Sequence, residues 1–127
     1  MEDFVTFEQA VRLKELGFDW ITANFYDLEN PQEGCITGRI PQDWNVMAFI
    51  TLASAPTLAQ AQKWLREVKD VILVANIKFH KGKVKYSWYI VTDNGDRGIC
   101  DDIEKSIFDT YEQALSAGIN KAIELLK

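Results

Sequence analysis

The sequence predicts an α+β fold, an antiparallel sheet of about three strands with helices packed on one face. Three observations predict it. "TFEQ", "TLAQ" and "TYEQ" each open a run whose apolar residues recur at helical spacing. The stretch "VILVANIKFHKGKVKYSWYIVT" alternates in character about a Lys-Gly pair, as an antiparallel hairpin does. An Asn-Gly pair then marks a second hairpin turn, in "DNGD" at 93–96.

The totals fit one domain spanning residues 1–127. A chain of 127 residues buries roughly two-thirds of its surface on folding, enough for a core without a metal or disulfide staple. With 47% hydrophobic and 26% charged residues, three prolines and seven glycines, composition excludes the disordered and low-complexity classes. Fourteen basic against nineteen acidic residues leave a formal charge of −5. That argues against a surface that tracks a phosphate backbone throughout, because such affinity comes from Lys and Arg displacing counterions. It is too mild for a nucleic-acid mimic.

"MEDFVTFEQ" has no basic region followed by an apolar run, so no signal peptide is expected. No apolar run is long enough to span a membrane. The expected address is the cytoplasm, with Cys35 and Cys100 as reduced thiols.

The first helix is predicted over 6–16. Thr6 and Gln9 form a capping box, Phe7, Ala10, Val11 and Leu13 give the apolar stripe, and Gly17 supplies the stop. Residues 22–55 show no sustained period. Asn30-Pro31 and Gly34 mark turns, "CITGRI" fits a short strand, and the apolar "WNVMAFITLASA" leans toward helix. A second helix over 57–69 opens on Thr57 and Gln60, with Leu58, Ala61, Leu65 and Val68 in phase. This helix and the closing one are expected to cover the sheet, with the 6–16 helix at its margin.

Placing the hairpin turn at Lys81-Gly82 sets Phe79 opposite Val84, Ile77 opposite Tyr86, Ala75 opposite Trp88 and Leu73 opposite Ile90. All of them then share one face, predicted to be buried, and a slip of one residue would destroy that arrangement. "RGICDDIEKSIF" offers Ile99 and Ile103 with Asp101 between them, which fits a short edge strand or bulge. The closing helix over 111–126 starts from Thr110 and Gln113. It carries Tyr111, Leu115, Gly118, Ile119, Ala122, Leu125 and Leu126 as its stripe. Its small residues Ala114, Ala117 and Gly118 suit close approach to a sheet, so it reads as the lid of the core.

"FDTYEQALSAGINKAIELL" resembles the C-terminal signature of small proteins of Bacteroides-type gut bacteria and their phages or mobile elements. "APTLAQAQKWLREVK", the Tyr- and Trp-rich hairpin and "TFEQAVRLKELGFD" are similar to that family as well, with residues 22–55 the least typical. The resemblance implies an origin in mobile or accessory genes. It brings no reaction, cofactor or site residue with it, since fold likeness alone supplies none.

The residues themselves carry no catalytic signature: no Gly-rich phosphate loop, zinc spacing or nucleophile elbow. His80 is the only histidine and falls at a hairpin tip, a poor place to exclude water, and nothing in the spacing pairs it with Cys35 or Cys100. The acids at 93, 96, 101 and 102 lack the alternating ligands of a calcium loop. No catalytic residue, cofactor or metal is therefore assigned.

One patch stands out. Lys78, His80, Lys81, Lys83 and Lys85 fall within eight residues of an acidic chain, and Tyr89 shares the outward face. The plainest reading is a solvated face that keeps the ribbon soluble. Of the functional readings, a protein partner precedes single-stranded nucleic acid, which would use phosphate contacts and stacking at 78–85. The expected function is a non-enzymatic accessory or protein-binding domain, with the nucleic-acid module as the alternative.

Overall fold

The computed structural model describes residues 3–46, 50–91, 97–100 (backbone only) and 107–126. The chain forms two compact units, residues 1–61 with 126–127, and residues 62–125. Helix α1 (Phe7–Glu15), strands β1 (Thr22–Asp27), β2 (Ile36–Gln42) and β3 (Leu52–Ser54), and the first turn of α2 (Leu58–Val68) belong to the first. The second holds the rest of α2, β4 (Ile72–His80), β5 (Lys83–Val91), β6 (Arg97–Cys100) and α3 (Tyr111–Leu125). Among the described residues there are two antiparallel three-stranded sheets, ordered β2-β1-β3 and β4-β5-β6. The class is α+β as expected, but the sequence reading had no second sheet.

All three capping boxes form. Gln9, Gln60 and Gln113 donate their backbone N–H groups to the hydroxyls of Thr6, Thr57 and Thr110 at 3.1–3.2 Å. In return each glutamine side chain accepts the threonine N–H at 2.8–3.3 Å. These bonds satisfy donors that a helix start would otherwise leave open. Gly17, at φ +94°, ends α1 in the left-handed region as predicted.

In the first unit, α1 packs on β3. Lys14 Nζ reaches the carbonyls of Leu52 at 2.6 Å and Ile50 at 3.2 Å, and burial pulls its pKa below the ordinary lysine value. Tyr26 Oη donates to Val5 O at 2.6 Å while its ring meets Phe7 edge-on. Burial foremost, then the charge of Cys35 and its hydrogen bond, pushes that phenol up to about 12.

The helix expected within "WNVMAFITLASA" is corrected by β3, which pairs with β1; residues 47–49 of that stretch lie outside the described residues. Polar side chains shape the turn before the strand. Asn45 Oδ1 accepts Ser54 N–H at 2.9 Å, Asn45 Nδ2 donates to Phe18 O at 2.8 Å, and Trp44 N–H donates to Ser54 Oγ at 3.0 Å. Five of the six residues of "CITGRI", Ile36 to Ile40, do lie in a strand, β2.

In the second unit the predicted hairpin register is the observed one, continuous from Ile72↔Val91 to His80↔Lys83. Lys81 (φ +52°) and Gly82 (φ +77°) both take positive φ, the requirement of a two-residue turn that follows the strand twist. Tyr89 to Val91 pair with β6 on the far side of β5. The Asn-Gly turn, Asp101 and Ile103 lie outside the described residues.

Helix α3 covers the root of the hairpin. Ala114, Leu115, Gly118, Ile119, Ala122 and Ile123 are buried, and so are Leu73, Trp88 and Ile90 on the sheet. A Cβ on Gly118 would lie 2.5 Å from Leu73 Cδ1 and 3.2 Å from Trp88 Cβ, so the glycine is what admits this spacing. The Trp88 indole N–H is buried with no hydrogen-bond partner among the described residues. Helix α2 meets the edge of β4, where Gln62 Nε2 donates to Leu73 O at 2.8 Å.

The outer half of the predicted apolar face is not buried. Ile77, Phe79 and Val84 are 61%, 76% and 50% exposed. The reason is where the helix starts: Tyr111 at its first turn meets Tyr86 in mid-hairpin, and α3 runs from there to Leu73 and Trp88 at the root, so the residues nearer the turn lie before it.

Two substitutions check this account. Trp88→Ala should lower stability by ~3–5 kcal/mol, the usual loss for a buried ring plus its cavity, read from urea denaturation. Lys81→Asn should raise it by about 1 kcal/mol, because Asn tolerates the left-handed region that Lys occupies at a cost. An unchanged midpoint in either variant contradicts the corresponding part of the structure.

Candidate functional site

Alternation along β4 and β5 gives the hairpin two faces. Lys78 and His80 of β4 share one with Lys83, Lys85 and Tyr89 of β5. Ile77, Phe79 and Val84 occupy the other, beside Tyr86. Lys81 sits in the turn. Lys81 and Lys83 are exposed, whereas Lys78, His80, Lys85 and Tyr89 are half-buried.

Lys78 and Lys85 stand directly opposite each other, as predicted. Like charges in that position destabilise a sheet, and the structure supplies a counter-charge. Lys85 Nζ forms an ion pair with the exposed carboxylate of Asp109. Asp109 is put there by its neighbour Phe108, which exchanges both backbone hydrogen bonds with Tyr86 at 2.9 Å. The hydrogen bond from Lys85 and then its charge hold the Asp109 carboxyl below its ordinary pKa, with Lys83 adding a smaller pull. The basic patch is therefore partly neutralised at Lys85.

Tyr89 lies four residues along β5 from Lys85, about 13 Å at strand spacing. It pairs with Val74 and Cys100 near the root. The aromatic ring and the tip lysines thus occupy opposite ends of one face.

The other sequence candidates are dispersed. Cys35 is an exposed free thiol of the first unit and accepts a hydrogen bond from Asn24 Nδ2 at 3.3 Å. His80 belongs to the second unit and pairs with Lys83. The side chain of Cys100, and the acids at 93, 96, 101 and 102, lie outside the described residues. Among the described residues no three His, Cys, Asp or Glu side chains gather as a metal site would require. No described helix is long and apolar enough to cross a membrane.

Sequence reasoning missed three features. The first is Asp109, whose signal was its place just before the third capping box, within reach of the preceding strand. The second is the exposed apolar trio at the tip. The third is a concavity of about 380 Å³ in the first unit. It sits where β2 departs from β1: Asn24 pairs with Thr37 but Thr22 pairs with Gln42, so Gly38–Pro41 bulge outward. Trp44 covers the bulge, its ring lying where a Gly38 side chain would be, with Phe25 at 4.5 Å between centroids. Its indole N–H donates to Thr22 O at 3.0 Å. This ring fills the bulge as packing, and Arg39 and Gln42 are the only long polar side chains among the lining residues.

No protein-family model, curated protein or solved structure matches the chain.

The ion pair gives a pH-dependent prediction. Because the folded-state pKa of Asp109 is depressed, its contribution is present at neutral pH and is lost as pH falls through the carboxylate range. Wild type should therefore melt slightly above Asp109→Asn at pH 7, and the gap should close below about pH 4 and shrink in high salt. A gap that persists in acid contradicts the pairing.

Proposed function

We propose that the protein is a non-enzymatic accessory domain that binds another protein through the outer half of the β4–β5 hairpin. The observation that supports this most is the apolar trio Ile77, Phe79 and Val84, exposed on the ribbon whose opposite face holds Lys78, His80 and Lys83, with Lys81 at the turn. A contiguous exposed apolar group rimmed by charge is how binding surfaces are marked on folded proteins. Phe79 supplies an aromatic anchor of the kind that dominates binding energy. The likeness of the three capped helices to small proteins of Bacteroides-type bacteria and their phages supports a mobile-element origin. A cytoplasmic setting belongs to the same proposal, and the exposed thiol of Cys35 suits it.

The nucleic-acid alternative needs basic groups and a stacking ring together on one surface. Lys85 is engaged by Asp109 and Tyr89 lies toward the root, so the alternative has less to work with.

The test is capture from cells that carry the gene, followed by reconstitution with the purified partner. The comparison is wild type against Phe79→Ser combined with Lys83→Glu. A partner that binds wild type directly and loses about tenfold or more in affinity to the double variant, a change of ~1.4 kcal/mol, is the expected result. Labelled single strands provide the contrary arm. Binding at low salt that disappears when Lys78, Lys81, Lys83 and Lys85 become Gln would replace this reading with the nucleic-acid one.

A further inference from the structure

Over Ala75–Phe79 the outer edge of β4 has no strand partner among the described residues, and the pattern of its residues specifies what can close it. Strand β4 is the outer strand of its sheet and runs for nine residues without proline, glycine or bulge. Folded proteins usually blunt such an edge by shortening, bending or covering it, because its free N–H and C=O groups template another strand.

Which groups are free follows from the ladder. Antiparallel pairs alternate between those that bond each other and those whose backbone groups turn outward. Tyr86 bonds Phe108 through both its N–H and its C=O, so it turns away from β4, and its partner Ile77 turns away from β5. The residues in phase with Ile77 are Leu73, Ala75 and Phe79. The carbonyl of Leu73 confirms the phase, because Gln62 Nε2 occupies it from outside the sheet. Neither strand pairing nor any side-chain hydrogen bond among the described residues engages the outward groups of Ala75, Ile77 and Phe79. The usable edge is thus Ala75–Phe79, about 17 Å long.

We propose that the partner binds here by β-augmentation: an extended segment in which acidic and apolar residues alternate adds to the β4 edge over Ala75–Phe79. This rests on the protein-binding reading above and names the chemistry of the partner. Charge complementarity selects it. A strand laid beside β4 places alternate side chains on the two faces of the hairpin. On one face its residues meet Lys78 and His80, with Lys83 one strand further and Lys85 already paired with Asp109. On the other they meet the uncovered Ile77 and Phe79, with Val84 behind them. Acid opposite lysine and apolar opposite Phe79 are both favourable cross-strand pairs.

The same lysines disfavour a second copy of this chain. With Gln62 on the Leu73 carbonyl, a two-fold pairing is confined to a centre near Ile77. That centre sets the two Lys78 residues as diagonal neighbours, ~7–8 Å apart at the backbone, which brings like charges close together.

The probe is a capped seven-residue peptide alternating Val and Glu. Its controls are a peptide of the same composition with the Glu residues in one block and a peptide with Lys replacing Glu. The readout is residue-resolved amide hydrogen exchange in the full chain at low salt. With the probe at ~10 times its Kd, protection should rise about tenfold at Ala75, Ile77 and Phe79. Asn76 and Lys78, already bonded to β5, should change little. The controls should give no protection, and Lys78→Glu with Lys83→Glu should transfer binding to the Lys-containing peptide. Shifts at the tip side chains without protection at the three amides would overturn the edge proposal while leaving a face-binding domain. No response to any peptide overturns the proposal as well, and the capture experiment then judges the broader reading alone. Protection of the three amides without peptide, growing with protein concentration, would assign the edge to a second copy instead.

Discussion

Gly118 lets α3 settle onto Leu73 and Trp88, and the organisation of residues 62–125 depends on that contact. A hairpin alone is at best marginally stable in water, since it has one face to bury and nothing to bury it against. The glycine brings the helix backbone close enough for Leu115, Ile119 and Ala122 to close over the sheet. Burial at the root holds the ribbon, and a held ribbon can project its outer half beyond the helix. The exposed tip lies outside that contact, because the helix starts beside Tyr86 and runs toward the root, away from Phe79.

Electrostatics and packing meet at one crossing. Phe108 joins the backbone of Tyr86, the Tyr86 ring meets Tyr111 edge-on at 6.2 Å, and Asp109 pairs with Lys85. Three elements, the end of the 107–109 segment, the start of α3 and the middle of β5, are pinned together there. Beyond this crossing, toward the turn, apolar residues of the inner face are uncovered. The crossing is thus the border between the part of the hairpin that serves stability and the part free to serve recognition. Asp109 being exposed, the pair contributes little energy and serves mainly to offset the charge of Lys85, one of the two opposed lysines.

What was legible in the sequence is what local chemistry decides. A capping box is a bond between residues three apart, so Thr6, Thr57 and Thr110 announce their helices wherever the chain goes. The hairpin register was legible because its alternation and its turn residues agree. The first sheet was not. Strand β2 has exposed and half-buried residues with no clean period, β1 and β2 are out of step by the bulge at Gly38–Pro41, and β3 has only three residues. Their positions depend on distant partners such as Asn45 with Phe18 and Lys14 with Leu52, which no window of sequence contains. The candidate site was half legible. Alternation told which residues share a face, but not that Asp109 would neutralise one lysine or that cover would stop short of Ile77.

The two-residue turn at Lys81-Gly82 has an evolutionary consequence. Substitutions on either face of the outer ribbon change its surface while leaving Leu73 and Trp88 in place, so that surface can drift toward new partners at little risk to the core. An inserted or deleted residue in β4 or β5 is a different matter. It turns one strand's faces over and brings polar residues such as Asn76 of β4, or Ser87 and Tyr89 of β5, to the side that α3 covers. Relatives of this chain should accordingly differ freely in the composition of the ribbon and hardly at all in its length.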